Sequence, residues 1–307
     1  MTQLSHNNME FSHAPNSCQF TSKTARGDYR IQIAWPLAWS EDRVRPSDDH
    51  PVSTLYLVDG NAYFSTAVDI SRRLEFTDNA RTVVVGIGYP NDKCVYDWRR
   101  GPDLTPPTRD GKYEIPLDRN GEPQKGVTFG EADQFLSFIQ EEIMTYVEQD
   151  LFKQAELPKG RKCLFGHSYG GLFTLSALYT KPELFDTFIA ASPSIWWNSK
   201  SVVTFQEAEF LARETPVSPP KALLITWGNL EQDYERQPNE TDEDFEHEKK
   251  EWDERKMRDN ALELAERVKD CPSIKSVWHW EFQGEDHGSA AVTGLQKGLM
   301  KFLVNKM

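Results

Sequence analysis

Cysteine is scarce and scattered in this chain of 307 residues. Cys18, Cys94, Cys163 and Cys271 show neither metal-ligand spacing nor a disulfide framework, which sets aside zinc modules and cystine-stapled domains. Long apolar runs are missing too. None approaches the roughly 20 residues that a membrane-crossing helix needs. The opening residues, MTQLSHNNMEFSHAPNSCQ, lack the basic-then-apolar pattern of a secretory leader. Positive charge is in deficit, with 35 Lys and Arg against 48 Asp and Glu, a net of −13. That balance argues against a general binder of nucleic acid or of anionic membrane. The expectation is a cytoplasmic protein with free thiols, with Cys163 a small core residue in an apolar run. No internal repeat is visible.

What is present alternates. Strand-like runs occur at DYRIQIAWP, STLYLVDG, RTVVVGIGY, RKCLFG, LFDTFIAASP, KALLITWG and SIKSVWHWEF. Helical spacing fills most intervals, with the longest patterns near 130–151, 169–181, 246–269 and 290–305. This rhythm predicts one α/β domain over 1–307, with a mostly parallel central sheet and helices on both faces. The first two strands, near CQFTSK and DYRIQIAWP, are expected to pair antiparallel at one edge. Two stretches break the rhythm. Residues 91–126 are rich in Pro, Gly, Asp and Arg, and so long an irregular loop in an α/β enzyme usually has a functional task. Residues 229–260 carry 13 acidic and 6 basic side chains, a net of −7, and read as a charged insertion with a solvated face.

The chemistry centres on KCLFGHSYGGLFTLSALY. Gly166-His167-Ser168-Tyr169-Gly170 matches G-x-S-x-G, between an apolar strand and a helix-spaced run of Leu172, Leu175, Leu178 and Tyr179. Such an elbow strains its central residue, so its neighbours must be small. The Ser168 hydroxyl then projects at a helix N-terminus, where free amides favour developing negative charge.

A serine hydroxyl needs a base. When the nucleophile is followed in the chain by an acid and then a histidine, His247, His279 and His287 are the choices. His247 lies in the charged run and is read as solvated, and His279 suits a strand. His287, in the loop QGEDHGSA between the last strand and the last helix, is the expected base. In TWGNLEQDYE the acid is Glu231, Asp233 or Glu235, with Glu231 at the usual turn distance after Gly228. Two oxyanion donors are expected from the N–H groups of Tyr169, next to the nucleophile, and of Asn61, in the turn after TLYLVDGN.

Several segments resemble the esterase D-like α/β-hydrolases, and within them the siderophore esterases. YLVDGNAYF looks like the oxyanion segment, and VVVGIGYPND with YDWRRGPDLTPP looks like an Arg-Arg and Asp-Leu-Thr-Pro signature. FGEADQFLSFIQEEIMTYVE, GHSYGGLFTL, SPSIWWN, WGNLEQ and GEDHGS follow in the same order. The resemblance spans roughly residues 29–304. It implies Ser168 as nucleophile and His287 as base, Arg99 and Arg100 near the substrate, and Trp196 and Trp197 on the pocket wall. It also implies an intracellular enzyme that opens siderophore esters, like fungal fusarinine-type and bacterial trilactone hydrolases, with no metal or organic cofactor for the chemistry. Any iron arrives with the substrate. The residue chemistry agrees less specifically: Arg99 and Arg100 also suit salt bridges to Asp97 or Asp103, and the tryptophans also suit a core. The acidic segment, placed near the pocket rim, leads to the expectation that a neutral ferric trihydroxamate is favoured over a trianionic tricatecholate.

Overall fold

A computed structural model describes residues 14–47, 51–91, 93–116 and 122–306. Residue 92 and residues 117–121 of the expected pocket loop, and most of the segment read for a leader, lie outside the described residues. Among the described residues, eight strands form one sheet: β1 (Ser17–Thr24), β2 (Gly27–Ala34), β3 (Val52–Leu57), β4 (Arg81–Gly88), β5 (Arg161–His167), β6 (Thr187–Ala191), β7 (Lys221–Gly228) and β8 (Ile274–Phe282). Their order is β1-β2-β4-β3-β5-β6-β7-β8. β1 and β2 pair antiparallel, β2 meets β4 antiparallel, and every pairing from β4 to β8 is parallel. This is the α/β-hydrolase order, as expected.

The strands read as they do because of their position. β3, β4 and β7 are buried along their whole length, as parallel strands covered on both faces must be. β1, at the edge, alternates between partly buried and exposed residues. Side chains then divide by pleat. Tyr56, Val83, Val85, Leu164 and Phe188 face a core shared with α3 (Ala132–Phe138), α4 (Tyr169–Thr180) and α8 (Met257–Val268). Leu55, Leu57, Val84, Phe165 and Ile189 face a second core with α1 (Gly60–Asp78) and α9 (Ser289–Val304). Each fully buried Leu, Ile or Phe contributes about 1.5–3 kcal/mol relative to exposure. The short helices α2 (Arg100–Leu104), α5 (Trp197–Ser201) and α6 (Ala208–Leu211) sit in the connections.

Three local expectations are revised. The run after Ser168 places Leu172, Leu175, Leu178 and Tyr179 at helical spacing, yet every residue from Gly170 to Tyr179 is buried, so α4 is a central helix. The helical path after residue 130 leaves regular α geometry at Ile139 and continues in wider π-type turns to Leu151. The pattern at 246–269 is two helices, α7 (Asp242–Arg255) and α8, broken where Lys256 turns left-handed at φ 48°. No helix among the described residues is long and apolar enough to cross a membrane.

Candidate active site

The turn from β5 into α4 sets Ser168 at φ 60° and ψ −118°, a conformation costing an L-residue about 1–3 kcal/mol. Surrounding hydrogen bonds hold it there. The Ser168 N–H donates to the Ala191 carbonyl at 3.0 Å, and the Ser168 carbonyl accepts from the N–H of Leu172 at 2.9 Å and of Ser194 at 3.2 Å. The motif glycine is required by contact: a Cβ on Gly166 would lie 2.0 Å from the Gly170 carbonyl oxygen. The Ser168 hydroxyl stands at the start of α4, with the buried Ser194 hydroxyl 3.4 Å away.

The loop between β8 and α9 carries His287. Its Nδ1 lies 2.6 Å from Glu231 Oε2. Glu231, 1% exposed, sits in the tight turn that ends β7. Its other oxygen accepts the Ser192 hydroxyl at 2.6 Å and the Gly228 N–H at 2.7 Å. Three partners thus satisfy a buried carboxylate and fix its orientation. The other two candidate acids point elsewhere. Asp233 pairs with Arg258 at 2.5 Å, and Glu235 is exposed. His279 stacks on Trp227 with ring centres 6.0 Å apart, on the exposed side of β8.

His167, the residue before the nucleophile, joins the two halves of the site. Its Nε2 is 2.8 Å from the His287 carbonyl, and the two rings lie 4.5 Å apart. Its Nδ1 meets the Tyr63 hydroxyl at 2.9 Å, which in turn meets the Tyr96 hydroxyl at 2.6 Å. Burial first, then the charges of His287 and Arg100, press the His167 pKa well below the ordinary value, so the ring is neutral.

Arg100 and Arg99 separate. Arg100 makes two bonds to the buried Asp59, at 3.1 and 3.0 Å, and its guanidinium lies between the Tyr96 and Tyr169 rings at 5.0 and 5.4 Å. Burial alone would lower its pKa, but the Asp59 charge and hydrogen bonds hold it above the ordinary value. Arg99 instead bonds Asp97 at 3.3 Å and the Asp28 carbonyl at 2.9 Å, over the rings of Tyr29 and Tyr89. Arg99 thus ties the loop to β2. Asn61 occupies the first turn of α1, where main-chain amides lack helical partners. Its side chain straps the end of β4, accepting from the Tyr89 N–H at 2.7 Å and donating to the carbonyls of Tyr89 and Asn91.

Beside the elbow lies a cavity of about 570 Å³, walled by Tyr169, Trp196, Trp197 and the segment Glu114–Pro116. Trp196 is partly buried, under the Arg255 guanidinium at 5.1 Å. Trp197 is 2% exposed and packs with Tyr113 and Phe129, so it is core and wall at once. The opposite wall comes from α7, through His247, Lys250, Glu251, Glu254 and Arg255. The acidic segment keeps its expected solvated face, since α7 has no buried residue and His247 is exposed, and one side of the helix also borders the cavity. Trp252, on the same helix, sets its ring 5.4 Å from that of His287. Lys250 and Arg255 face three acids around the cavity, Glu251 and Glu254 on α7 and Glu114 on the other wall, with Arg255 bonded to Glu251 at 3.1 Å.

The Esterase family matches residues 22–283. The chain belongs to this family. The esterase is 40% identical over 282 residues to the siderophore enterobactin esterase of Emericella nidulans, covering 91% of this chain and 90% of that protein. It is 36% identical to the siderophore triacetylfusarinine C esterase of Aspergillus fumigatus, covering 94% and 93%. Its fold superposes on the siderophore hydrolase EstA from Aspergillus nidulans with a TM-score of 0.89, at 37% identity and 98% coverage of both chains.

In this esterase the elbow, the His287 loop and the Glu231 turn converge at the ends of β5, β7 and β8. Sequence reasoning missed Ser192, His167, Tyr63 and Trp252. Ser192 and Tyr63 had a usable signal, since each follows a strand whose neighbour in the sheet, or whose own end, delivers a site residue. Trp252 had none beyond its helical spacing.

Proposed function

We propose that the protein is a serine esterase that hydrolyses carboxylic ester bonds of a siderophore, releasing its iron in the cytoplasm. One observation carries the reading. A buried carboxylate grips Nδ1 of a histidine whose carbonyl meets His167, the residue before the elbow serine, in a chain 36–40% identical to siderophore esterases over nine-tenths of its length. With Nδ1 engaged by Glu231, Nε2 is the nitrogen left to take the Ser168 proton. Ser168 Oγ attacks the ester carbonyl, and the amides of Tyr169 and Asn61 receive the oxyanion. The His287 imidazolium, stabilised by Glu231, then protonates the leaving alcohol. Water repeats the sequence on the acyl-enzyme and frees the acid. The 570 Å³ cavity, with Trp196 and Tyr169 on its wall, supports a bulky acyl or chelate group. The ferric ion enters as part of the substrate. Four unpaired cysteines fit a reducing compartment.

A fluorophosphonate tests the reading. It is expected to label Ser168 alone and to abolish turnover of simple carboxylic esters. A chain that binds siderophore but takes up no label would be a binding protein instead.

A further inference from the structure

We propose that His167 is a positioning residue of this esterase: its ring N–H fixes the main chain of His287, while Tyr63 and Tyr96 fix the ring. This rests on the reading of His287 as the base. The direction of each bond follows from chemistry. A carbonyl only accepts, so the 2.8 Å contact to the His287 oxygen places the proton on His167 Nε2. Nδ1 of the neutral ring then offers a lone pair, and the Tyr63 hydroxyl donates to it at 2.9 Å. Having spent its proton, the Tyr63 oxygen accepts from Tyr96 at 2.6 Å. His167 is 3% exposed, so its ring has no water to exchange partners with.

The His287 loop is tied on both sides of the base, by the Gly284 N–H to Asn229 at 2.6 Å and by the reciprocal bonds of Asp286 and Ser289 at 2.8 and 3.0 Å, and His167 adds the hold on the carbonyl of His287 itself. Glu231 secures the imidazole and His167 secures the backbone that carries it, from two different strand ends. A buried histidine that merely packed would need two partners of any kind. Here one partner is the main chain of the base, one residue removed from the nucleophile. The chain of hydroxyls ends at Tyr96, 40% exposed on the pocket loop, so the loop that meets solvent is hydrogen-bonded through to the base.

The experiment measures kcat and KM on a small chromogenic ester for His167→Leu, His167→Gln, Tyr96→Phe and His287→Ala, with a thermal melt of each. A displacement of about 1 Å in a catalytic group costs on the order of 100-fold, so His167→Leu should lose about that much kcat with KM within about twofold. His167→Gln retains an N–H donor and should recover at least about tenfold of the loss. Loss of one neutral hydrogen bond, about 0.5–1.5 kcal/mol, predicts a fall of about 3–10-fold in kcat for Tyr96→Phe with an unchanged melt. That exposed variant decides the matter if His167→Leu fails to fold. Wild-type kcat in Tyr96→Phe, or equal losses in the two folded His167 variants, overturns the positioning role while His287→Ala is inactive. An active His287→Ala would instead overturn the reading of the base.

Discussion

Glu231→Gln is the most informative single substitution because the surroundings dictate how the amide must sit. The side chain is nearly isosteric, so packing is kept. Oε1 of Glu231 accepts the Gly228 N–H at 2.7 Å and the Ser192 hydroxyl at 2.6 Å. The Gly228 N–H cannot accept, so the glutamine oxygen must take that side. Its NH₂ then faces His287 Nδ1, where a carboxylate oxygen now stands at 2.6 Å. Two donors cannot meet, so His287 is forced to carry its proton on Nε2, and the nitrogen needed as base is blocked. An inverted tautomer in a Ser-His-acid site lowers kcat by about 10⁴-fold, roughly 5.4 kcal/mol in barrier. Asp233→Asn provides the contrast, since that carboxylate is bonded to Arg258 and should leave kcat within about twofold. The assay is steady-state hydrolysis of a chromogenic ester, with fluorophosphonate labelling rate as a second readout. A Glu231→Gln enzyme retaining more than about a tenth of wild-type kcat would refute the reasoning and leave a Ser-His pair that needs no acid.

Three further outcomes are expected. Trp252→Ala removes the ring packed on His287 and should cut kcat/KM by about 3–10-fold with a smaller effect on the melt, since an aromatic contact is worth about 0.5–1.5 kcal/mol. The depressed pKa of His167 makes stability pH-dependent: below about 6.5 the unfolded chain takes a proton that the folded one refuses, so this contribution is fully present above that pH and lost as pH falls. Urea titrations should show unfolding free energy falling between pH 6.5 and 5.5 by up to about 1.0 kcal/mol more in wild type than in His167→Gln. Because Lys250 and Arg255 offset two of the three acids that line the cavity, Glu114, Glu251 and Glu254, the kcat/KM ratio of a trianionic to a neutral chelate should change by less than about threefold across a salt series; a steep fall or rise would show a strong field at the pocket.

The fold was legible where the sequence has periodicity. The predominantly apolar runs of β3, β4 and β7, and the intervening helical runs, announce a covered parallel sheet. The serine, the histidine and the first acid after β7 were legible because the chain order of such sites and their loop positions are constrained by topology. What stayed hidden depends on contacts between distant segments. Ser192 reaches Glu231 only because β6 and β7 lie side by side in register, Ala191 opposite Thr226. Arg99 and Arg100 are neighbours that point to opposite partners around the start of a short helix, which no pattern of residue types reveals. α7 has no buried residue, so hydrophobic spacing could not say which side of it meets the cavity. His167 occupies a variable position of the motif, and its importance comes from the loop that arrives 120 residues later.

The central claim is that Ser168 opens ester bonds in a siderophore. Mass spectrometry of a ferric siderophore ester, incubated with the wild-type protein and with Ser168→Ala, tests it directly. The wild type is expected to add one water for each ester opened, and Ser168→Ala to leave the chelate unchanged. An unchanged chelate with both proteins would contradict the substrate class, and equal hydrolysis by both would contradict the nucleophile.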